Sequence, residues 1–494
     1  MRVEYNNAVL SVFIASLLSI VISSFRFNFS AWTQYINGKH DSSSETTTIA
    51  SNFTRYHEMD VRSMRRALSG EKLLRTSYED ATVVEQAPGW FPFTQICHET
   101  CCATAVAISL YQEEYHLVNT MTGTELADSS IPHYPSKDLQ FHSQPPFLTE
   151  ELVPCLQPGT IIQMDNHATI SNYFWKKLRP SITVPFAIIT SESDGDTPDD
   201  VYSKFANKLQ SDNLLLKWYG TNPDYKVVDH YKGGRDKFVP LMLGLSRQHK
   251  QEPYLQYFLQ KNQYQNPFEE KSRWINAFLG KSGWSASMLP SFLFGNHRLD
   301  APDNWLFVNF NIQNKFASHR GSVYRRLCKG FEATNTTELS CRPTTNKSKV
   351  PPDILYAKAS EYLFGVSPPG VGWDCYRTYE LLLLGVIPMV DGSRSGSREL
   401  FEGLPVIFVE NLKTGGLTGS WSRRSIYQQA KEYILGQEFQ NANFTTGWNK
   451  LFTKYWRRKI LKDTGRQIVQ DEKGQEYVKA WKYTRRQSQG EYLL

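Results

Sequence analysis

The sequence predicts an α/β protein in which two Rossmann-like domains face a cleft, after a single N-terminal membrane anchor. Three observations support this prediction. Apolar, strand-like runs alternate with helical patterns from about residue 89 onward, which is typical of parallel sheets. The stretch 364–390 reads as a complete strand, loop, helix and strand. An uncharged apolar run lies near the N-terminus, and the 494 residues are enough for two or three domains.

The N-terminal apolar run covers residues 8–24. Its length is at the lower edge of the roughly 17–25 residues that span a bilayer. We therefore expect residues 1–25 to form a cytoplasmic tip and a signal-anchor helix, with membrane contact through 8–24; a cleaved signal peptide is the alternative. Residues 26–88 are polar and are expected to form a partly disordered stem. This arrangement predicts a single-pass type II protein of the Golgi or ER membrane, with the rest of the chain in the lumen.

Sequons and cysteines agree with a lumenal location. Acceptor sequons for glycosylation occur at Asn52, Asn335, Asn346 and Asn443, and at Asn28, which is too near the membrane to be used. In an oxidising compartment some of the seven cysteines should pair, and Cys328 with Cys341 is the expected disulfide. The odd number leaves at least one free thiol. A zinc site at 97–102 is the weaker alternative, because its spacing matches no strong metal pattern, and no metal site is predicted.

Two groups of strand and helix patterns define the expected domains. The N-terminal Rossmann-like domain, 89–290, has strand patterns at 159–163, 184–190, 214–219 and 238–244 and helix patterns at 168–178 and 201–209. Outside 364–390, the C-terminal domain, 291–455, has strand patterns at 305–310 and 404–409 and helix patterns at 321–329, 357–363 and 424–434. Residues 456–494 are basic and are expected to form a solvated tail, with contact to an anionic ligand or membrane as the alternative. The net charge of +6 is too mild to indicate a nucleic-acid partner.

The loop within 364–390 has the properties of an anion site. Gly370 and Gly372 allow the backbone to approach a ligand closely. A helix is expected to begin near residue 373, with Asp374 as its N-cap. The N–H groups at the start of this helix would suit a pyrophosphate, and Gly385 is expected to end the helix.

Two charged residues follow this loop on one face of the expected helix. Arg377 can make a bidentate contact with a phosphate. Glu380, three residues later, can accept hydrogen bonds from the hydroxyls of a ribose. The alternative is an ordinary strand–helix–strand crossover in which Arg377 and Glu380 form a surface ion pair.

The string SPPGVGWDCYRTYELLLLGVIPMV, residues 367–390, with RELFEGLPV at 398–406, resembles the C-terminal donor domain of exostosin-like glycosyltransferases. Those proteins share Ser-Pro-x-Gly, then Arg-x-x-Glu, then a Gly-x-(Ile/Val)-Pro step. The matching positions are Ser367, Pro368, Gly370, Arg377, Glu380, Leu381, Gly385, Ile387 and Pro388. The first domain resembles these proteins only loosely, at 185–190 and 240–244.

The resemblance implies a GT-B fold and transfer of a sugar from a nucleotide diphosphate sugar to a glycan or glycoprotein acceptor, generally with inversion. It implies no required cofactor beyond this co-substrate, because GT-B enzymes commonly need no metal. Carried onto this sequence, Glu380 would hold the ribose. Arg377 would hold the diphosphate together with Ser367, Gly370 and Gly372, and would stabilise the leaving charge.

An inverting transfer needs a general base from the other domain. Asp194 and Asp196, in the loop after the 184–190 strand, are the predicted catalytic carboxylates, with Glu192 beside them. A solvated turn is the alternative, and a metal-binding pair is less favoured because the two-domain prediction argues against it. His167 and His230 are weaker candidates for the base.

Arg394 and Arg398 follow the second strand of the unit and are predicted to contact the substrate, against the alternative of an exposed loop. Two other functions compete with transfer. One is a catalytically inactive carbohydrate- or nucleotide-binding protein of the same fold. The other is a sulfotransferase, which is less favoured because no convincing phosphate loop occurs early in the first domain.

Overall fold

The computed structural model describes the chain in segments from residue 95 to residue 486. The described residues are 95–109, 117–118, 126–131, 148–165, 168–191, 195–198, 205–246, 253–278, 305–312, 319–328, 341, 350–393, 395–409, 423–466 and 468–486. They belong to one compact unit of the chain. The predicted anchor at 8–24 and stem at 26–88 lie outside them. Within these segments, no helix has the length and apolar character needed to cross a bilayer.

The strands form three sheets. Their bounds are β1 Gln95–Cys97, β2 Cys101–Ser109, β3 Ser129–Ile131, β4 Thr160–Asp165, β5 Phe186–Ser191, β6 Leu215–Gly220, β7 Phe238–Pro240, β8 Leu306–Phe307, β9 Phe364–Val366, β10 Ile387–Asp391, β11 Ile407–Val409, β12 Ile468–Gln470 and β13 Glu476–Arg485.

The helices of the described segments connect and cover these sheets. Their bounds are α1 Ala168–Tyr173, α2 Lys208–Ser211, α3 Tyr225–Val228, α4 Gly234–Lys237, α5 Pro253–Lys261, α6 Ser272–Phe278, α7 His319–Cys328, α8 Pro352–Ala359, α9 Tyr376–Leu383, α10 Ser395–Leu400, α11 Arg423–Leu435, α12 Gln437–Asn441, α13 Thr445–Asn449 and α14 Thr453–Asp463. A π-helical turn, Phe174–Leu178, continues α1. The helix predicted at 357–363 begins earlier, at Pro352, because proline is favoured in the first turn of a helix.

The first sheet is parallel, in the order β3-β4-β5-β6-β7. All six residues of β5, FAIITS, are buried. A continuous apolar strand of this kind is expected where helices or loops cover both faces of a parallel sheet. The predicted strands at 159–163, 184–190 and 214–219 are confirmed, and the one at 238–244 ends early, at Pro240.

The second sheet is also parallel, in the order β11-β10-β9-β8. It contains the predicted strand–loop–helix–strand unit as β9, α9 and β10. Gly385 has φ +69° just after α9 and ends the helix, as predicted. Two parallel sheets joined by helices confirm the α/β class.

The predicted solvated tail is wrong for its described part. Helix α14 buries Trp456 and Ile460 in the core. Strand β13 then pairs with β2 from Tyr477 to Arg485, in an antiparallel sheet of order β1-β2-β13-β12. The tail folds because its basic residues alternate with apolar ones, such as Val478 and Ala480, which supply one buried face.

The two parallel sheets share one hydrophobic core. A single cluster of buried residues includes Ile189 and Tyr219 from the first sheet, Leu382 from α9 and Val390 from β10 of the second sheet. Helix α14 returns to the first sheet, where the hydroxyl of Tyr219 donates to Oδ2 of Asp463 at 2.5 Å. We call the part of the chain built on the first sheet the first half, and the part built on the second sheet the second half. The two halves are therefore in extensive direct contact.

All seven cysteines are described. Cys328 and Cys341 form the predicted disulfide, and Cys375 is the free thiol. The zinc alternative at 97–102 does not hold, because these thiols are used in two further disulfides, Cys97–Cys102 and Cys101–Cys155. Of the sequons, Asn443 is described and exposed, and its Oδ1 accepts from the N–H of Thr445 at 2.9 Å. Asn28, Asn52, Asn335 and Asn346 lie outside the described residues.

Candidate functional site

The Gly/Pro loop, Ser367–Gly372, begins where β9 ends. The N–H of Ser367 donates to the carbonyl of Met389 on β10 at 2.9 Å. The hydroxyls of Ser367 and Thr378 are 2.8 Å apart, and both residues are buried. The start of the loop is thus fixed both to the neighbouring strand and to the first turn of α9.

Arg320 on α7 holds the next two residues of the loop. Its Nε donates to the carbonyl of Pro369 at 2.8 Å, and its Nη2 donates to the carbonyl of Pro368 at 3.0 Å. Nε2 of His319 lies 3.1 Å from the Pro369 oxygen. Arg320 as a whole is buried, with 9% of the residue exposed. The positive charge of Arg320 offsets the negative ends of these two carbonyl dipoles. They therefore do not oppose an anion bound by the loop.

Arg377 and Glu380 form an ion pair, with 3.0 Å between Nη1 and Oε2. The alternative of a surface pair is wrong, because the side chains are 15% and 2% exposed. The two atoms are close but not aligned as a hydrogen bond. In this conformation Glu380 holds Arg377, and Arg377 is the more exposed member of the pair.

Asp374 does not cap α9, which corrects the prediction. The helix begins at Tyr376, and its N-cap, Cys375, makes no side-chain capping bond. Oδ2 of Asp374 instead accepts from the N–H of Leu243 at 3.0 Å and from the hydroxyl of Tyr379 at 2.6 Å. Burial raises the pKa of the Asp374 carboxyl to about 6, although its hydrogen bonds oppose the rise.

The loop after β5 meets the same region from the first sheet. The N–H of Thr197 donates to the carbonyl of Asn222 at 2.9 Å, and Oδ1 of Asn222 accepts from the N–H of Asp374 at 2.9 Å. The structure therefore brings the segment of Asp196 next to the end of the Gly/Pro loop. Asp196 itself is 8% exposed. The other predicted carboxylates, Asp194 and Glu192, lie outside the described residues.

Two of the remaining predicted site residues lie within the described part of the chain. Arg398 is exposed, and its guanidinium lies 4.8 Å from the centre of the Phe408 ring, so it packs on β11. His230 is exposed and packs edge-on against Tyr231. Arg394 and His167 lie outside the described residues.

Helix α10, which follows β10, also contacts the first half. A Cβ added to Gly396 would lie 2.7 Å from the carbonyl oxygen of Pro223, so only glycine permits this approach. The carboxyl ends of the two parallel sheets meet through this contact and through the Asn222–Asp374 hydrogen bond.

Sequence reasoning missed two residues of the site. Asp391 ends β10 and is 2% exposed, with Oδ1 accepting from the N–H of Ser393 at 3.0 Å. A carboxylate directly after an apolar strand was the signal that would have found it. Arg320 had no local signal, because its partners lie 48 and 49 residues away in the sequence. The described residues contain no cluster of three or more His, Cys, Asp and Glu side chains able to hold a metal ion.

No protein-family model matches the chain, and no curated protein sequence matches it. Among solved structures, two matches are UDP-forming α,α-trehalose-phosphate synthases from Burkholderia xenovorans. One has 9% identity, a TM-score of 0.31 and coverage of 63% of this chain and 74% of that chain. The other, in complex with glucose-6-phosphate, has 9% identity, a TM-score of 0.33 and coverage of 64% and 76%. An α,α-trehalose 6-phosphate synthase from Burkholderia multivorans has 10% identity, a TM-score of 0.33 and coverage of 64% and 73%.

Proposed function

We propose that the chain is a glycosyltransferase of the exostosin-like, GT-B type, which moves a sugar from a nucleotide diphosphate sugar to a glycan or glycoprotein acceptor. The observation that supports this most is the position of Arg377. It lies in the first turn of α9, directly after a glycine-bearing loop at the carboxyl end of a parallel strand. Nucleotides bind at such edges of parallel sheets, with phosphates at helix N-termini.

The ion pair suggests how the site accepts its donor. When the diphosphate reaches the Gly/Pro loop, Arg377 exchanges the carboxylate of Glu380 for phosphate oxygens. The pair at 3.0 Å has no aligned hydrogen bond that this exchange would have to break. The released carboxylate then accepts hydrogen bonds from the ribose. Arg377 stabilises the charge that develops on the leaving diphosphate.

Asp196 is the proposed general base for an inverting transfer. It belongs to the first half, as the acceptor side of the reaction requires. Hydrogen bonds from Thr197 to Asn222 and from Asp374 to Asn222 tie its segment to the donor loop. The proposed reaction uses no metal ion.

A lumenal location fits this reaction. The disulfides Cys97–Cys102, Cys101–Cys155 and Cys328–Cys341 favour an oxidising compartment. We propose that residues 8–24 anchor the chain as a type II protein of the Golgi or ER membrane, with Asn443 open to glycosylation.

A second candidate is a nucleotide- or carbohydrate-binding protein without turnover. The burial of Glu380, at 2% exposure, favours it, because a donor must first displace Arg377. A donor screen separates the two functions. Purified protein is incubated with a panel of UDP- and GDP-sugars and a glycan acceptor mixture, and nucleotide release is measured.

The proposed enzyme releases nucleotide from at least one donor, and Asp196→Asn lowers this rate at least a hundredfold. Asp471→Asn is the matched control, because it makes the same change at a carboxylate in a turn outside the proposed site. Binding of a nucleotide sugar without release by the wild-type protein would select the second candidate.

A further inference from the structure

Asp391 is a buried carboxylate that lacks a charge partner in the described part of the chain. Its Oδ1 accepts from the N–H of Ser393, while Oδ2 is buried with no hydrogen-bond partner. The buried carboxylates of Asp128 and Asp212 each pair with an arginine. Asp374 also has one oxygen, Oδ1, without a hydrogen-bond partner, but its Oδ2 accepts from both a backbone N–H and a hydroxyl. Because a buried, unsatisfied carboxylate oxygen is unfavourable, Asp391 requires an explanation other than stability.

Asp391 lies beside the start of the Gly/Pro loop. Strands β9 and β10 pair in register, with Met389 opposite Val366. Continuing this register by two residues places Asp391 opposite Pro368. Neighbouring strands are roughly 4.8 Å apart. The backbone of Asp391 is therefore about one strand spacing from Pro368, at the start of the loop proposed to hold the diphosphate.

Strand alternation places Asp391 on the face opposite α9. A Cβ on Gly365 would lie 2.6 Å from Cδ2 of Leu381, so Gly365 faces the helix. Its strand partner, Pro388, faces the same side. Side chains alternate along a strand, so Asp391, three residues after Pro388, faces the other side.

These positions define the orientation of a bound nucleotide sugar. Its diphosphate rests at the Gly/Pro loop and Arg377, and its ribose lies on the α9 side, towards Glu380. The transferred sugar, attached at the other end of the diphosphate, then lies across the carboxyl ends of β9 and β10, on the side of the sheet that carries Asp391. We infer that Oδ2 of Asp391 accepts a hydrogen bond from a hydroxyl of the transferred sugar, an inference that rests on the proposed function. The hydrogen bond from Ser393 to Oδ1 orients the carboxylate for this contact.

The inference is tested by comparing two ligands of the full chain. Calorimetry gives the affinity for a nucleoside diphosphate, UDP or GDP, and steady-state kinetics gives kcat/KM for the matching nucleotide sugar. Asp391→Asn and Asp391→Ala should each lower kcat/KM at least tenfold without weakening nucleoside diphosphate binding, because only the sugar donates to Asp391 and the loss of a negative charge near the diphosphate does not oppose its binding. The thermal midpoint of Asp391→Asn should equal or exceed that of the wild type, since an unpaired buried charge is removed.

Asp471→Asn is the matched control. Oδ1 of Asp471 accepts from the N–H of Lys473 at 2.9 Å in the same kind of turn, outside the proposed site. Equal losses for both ligands in the Asp391 variants would indicate a structural role and overturn the inference, as would unchanged kinetics. Failure of the wild-type protein to bind UDP or GDP would overturn the proposed function, and this inference with it.

Discussion

The backbone N–H of Asp374 donates a hydrogen bond of 2.9 Å to Oδ1 of Asn222, a residue 152 positions earlier in the chain. Asp374 also accepts from the N–H of Leu243. Asn222 and Leu243 follow the strands β6 and β7 of the first sheet, whereas Asp374 lies between β9 of the second sheet and α9. A single buried residue therefore fixes the end of the proposed donor loop against the first half.

Replacing Asn222 should destabilise the protein. Asn222→Ala leaves the buried N–H of Asp374 without its acceptor, a loss of about 1–3 kcal/mol. It also places alanine at φ 49°, where the left-handed backbone costs it roughly 1 kcal/mol more. Asn222→Gly loses the same acceptor without that strain, so its free energy of unfolding should lie between those of wild type and Asn222→Ala. Denaturant titration measures the order, and equal stability of all three proteins would show that this hydrogen bond contributes little.

Asp374 should make stability depend on pH. Burial raises the pKa of its carboxyl to about 6 from 3.8, so the folded state binds the proton more tightly than the unfolded state. The resulting stabilisation is complete below about pH 4 and is lost as pH rises through about 6, with a maximum of about 3 kcal/mol.

Asp374→Asn removes this titration and keeps an oxygen that accepts from Leu243 and Tyr379. The free energy of unfolding of the variant relative to wild type should therefore increase between pH 4 and pH 7. Asp471→Asn, in an exposed turn, serves as the control. A difference between Asp374→Asn and wild type that stays constant over this range would contradict the assignment.

Arg320→Lys should weaken donor binding. Lysine keeps the charge but cannot donate from two nitrogens of one planar group to the carbonyls of Pro368 and Pro369. The loop loses its fixed geometry, and KM for the nucleotide sugar should rise about tenfold, which is about 1.4 kcal/mol. Arg325→Lys changes an exposed arginine on the same helix and should leave KM unchanged. A similar KM for both variants would mean that Arg320 does not order the loop.

Local sequence signals predicted the strand–loop–helix–strand unit well. Gly385 was expected to end the helix because a left-handed residue is needed there, and its φ of +69° confirms this. Cys328 and Cys341 were likewise expected to pair from their position around one loop. These features depend on a few neighbouring residues, which a sequence displays directly.

The errors arose where distant partners decide the outcome. Asp374 has the composition of an N-cap, but Leu243, 131 residues earlier, takes its carboxylate. The alternative of a surface pair for Arg377 and Glu380 fails for the same reason, because the rest of the fold buries both side chains. Residues 476–485 have enough charge to suggest a tail, but β2 supplies a full strand partner. The local pattern of residues in one sequence does not show such contacts between distant residues.

The disulfides should contribute unequally to stability. Loop-closure entropy predicts about 4 kcal/mol for Cys101–Cys155, which are 54 residues apart, and about 3 kcal/mol for Cys328–Cys341, which are 13 apart. Paired Cys→Ser variants, compared by denaturant titration, measure both values. Mass spectrometry after alkylation of the unfolded, non-reduced chain should find one modified thiol, at Cys375. Modification at any other cysteine would contradict the pairing.

The most direct measurement is the affinity of the chain for UDP and GDP, by calorimetry, before and after loss of Arg377. Wild-type protein should bind at least one of them, and Arg377→Ala should weaken this binding at least tenfold. The double variant Arg377→Met with Glu380→Gln removes both charges, so that no buried charge is left unpaired, and should bind at least as weakly as Arg377→Ala, because it also loses the carboxylate proposed to hold the ribose. Arg485→Ala, which breaks the exposed pair with Glu151, should bind as the wild type does. Undiminished binding by a folded Arg377 variant would show that the nucleotide does not use this loop.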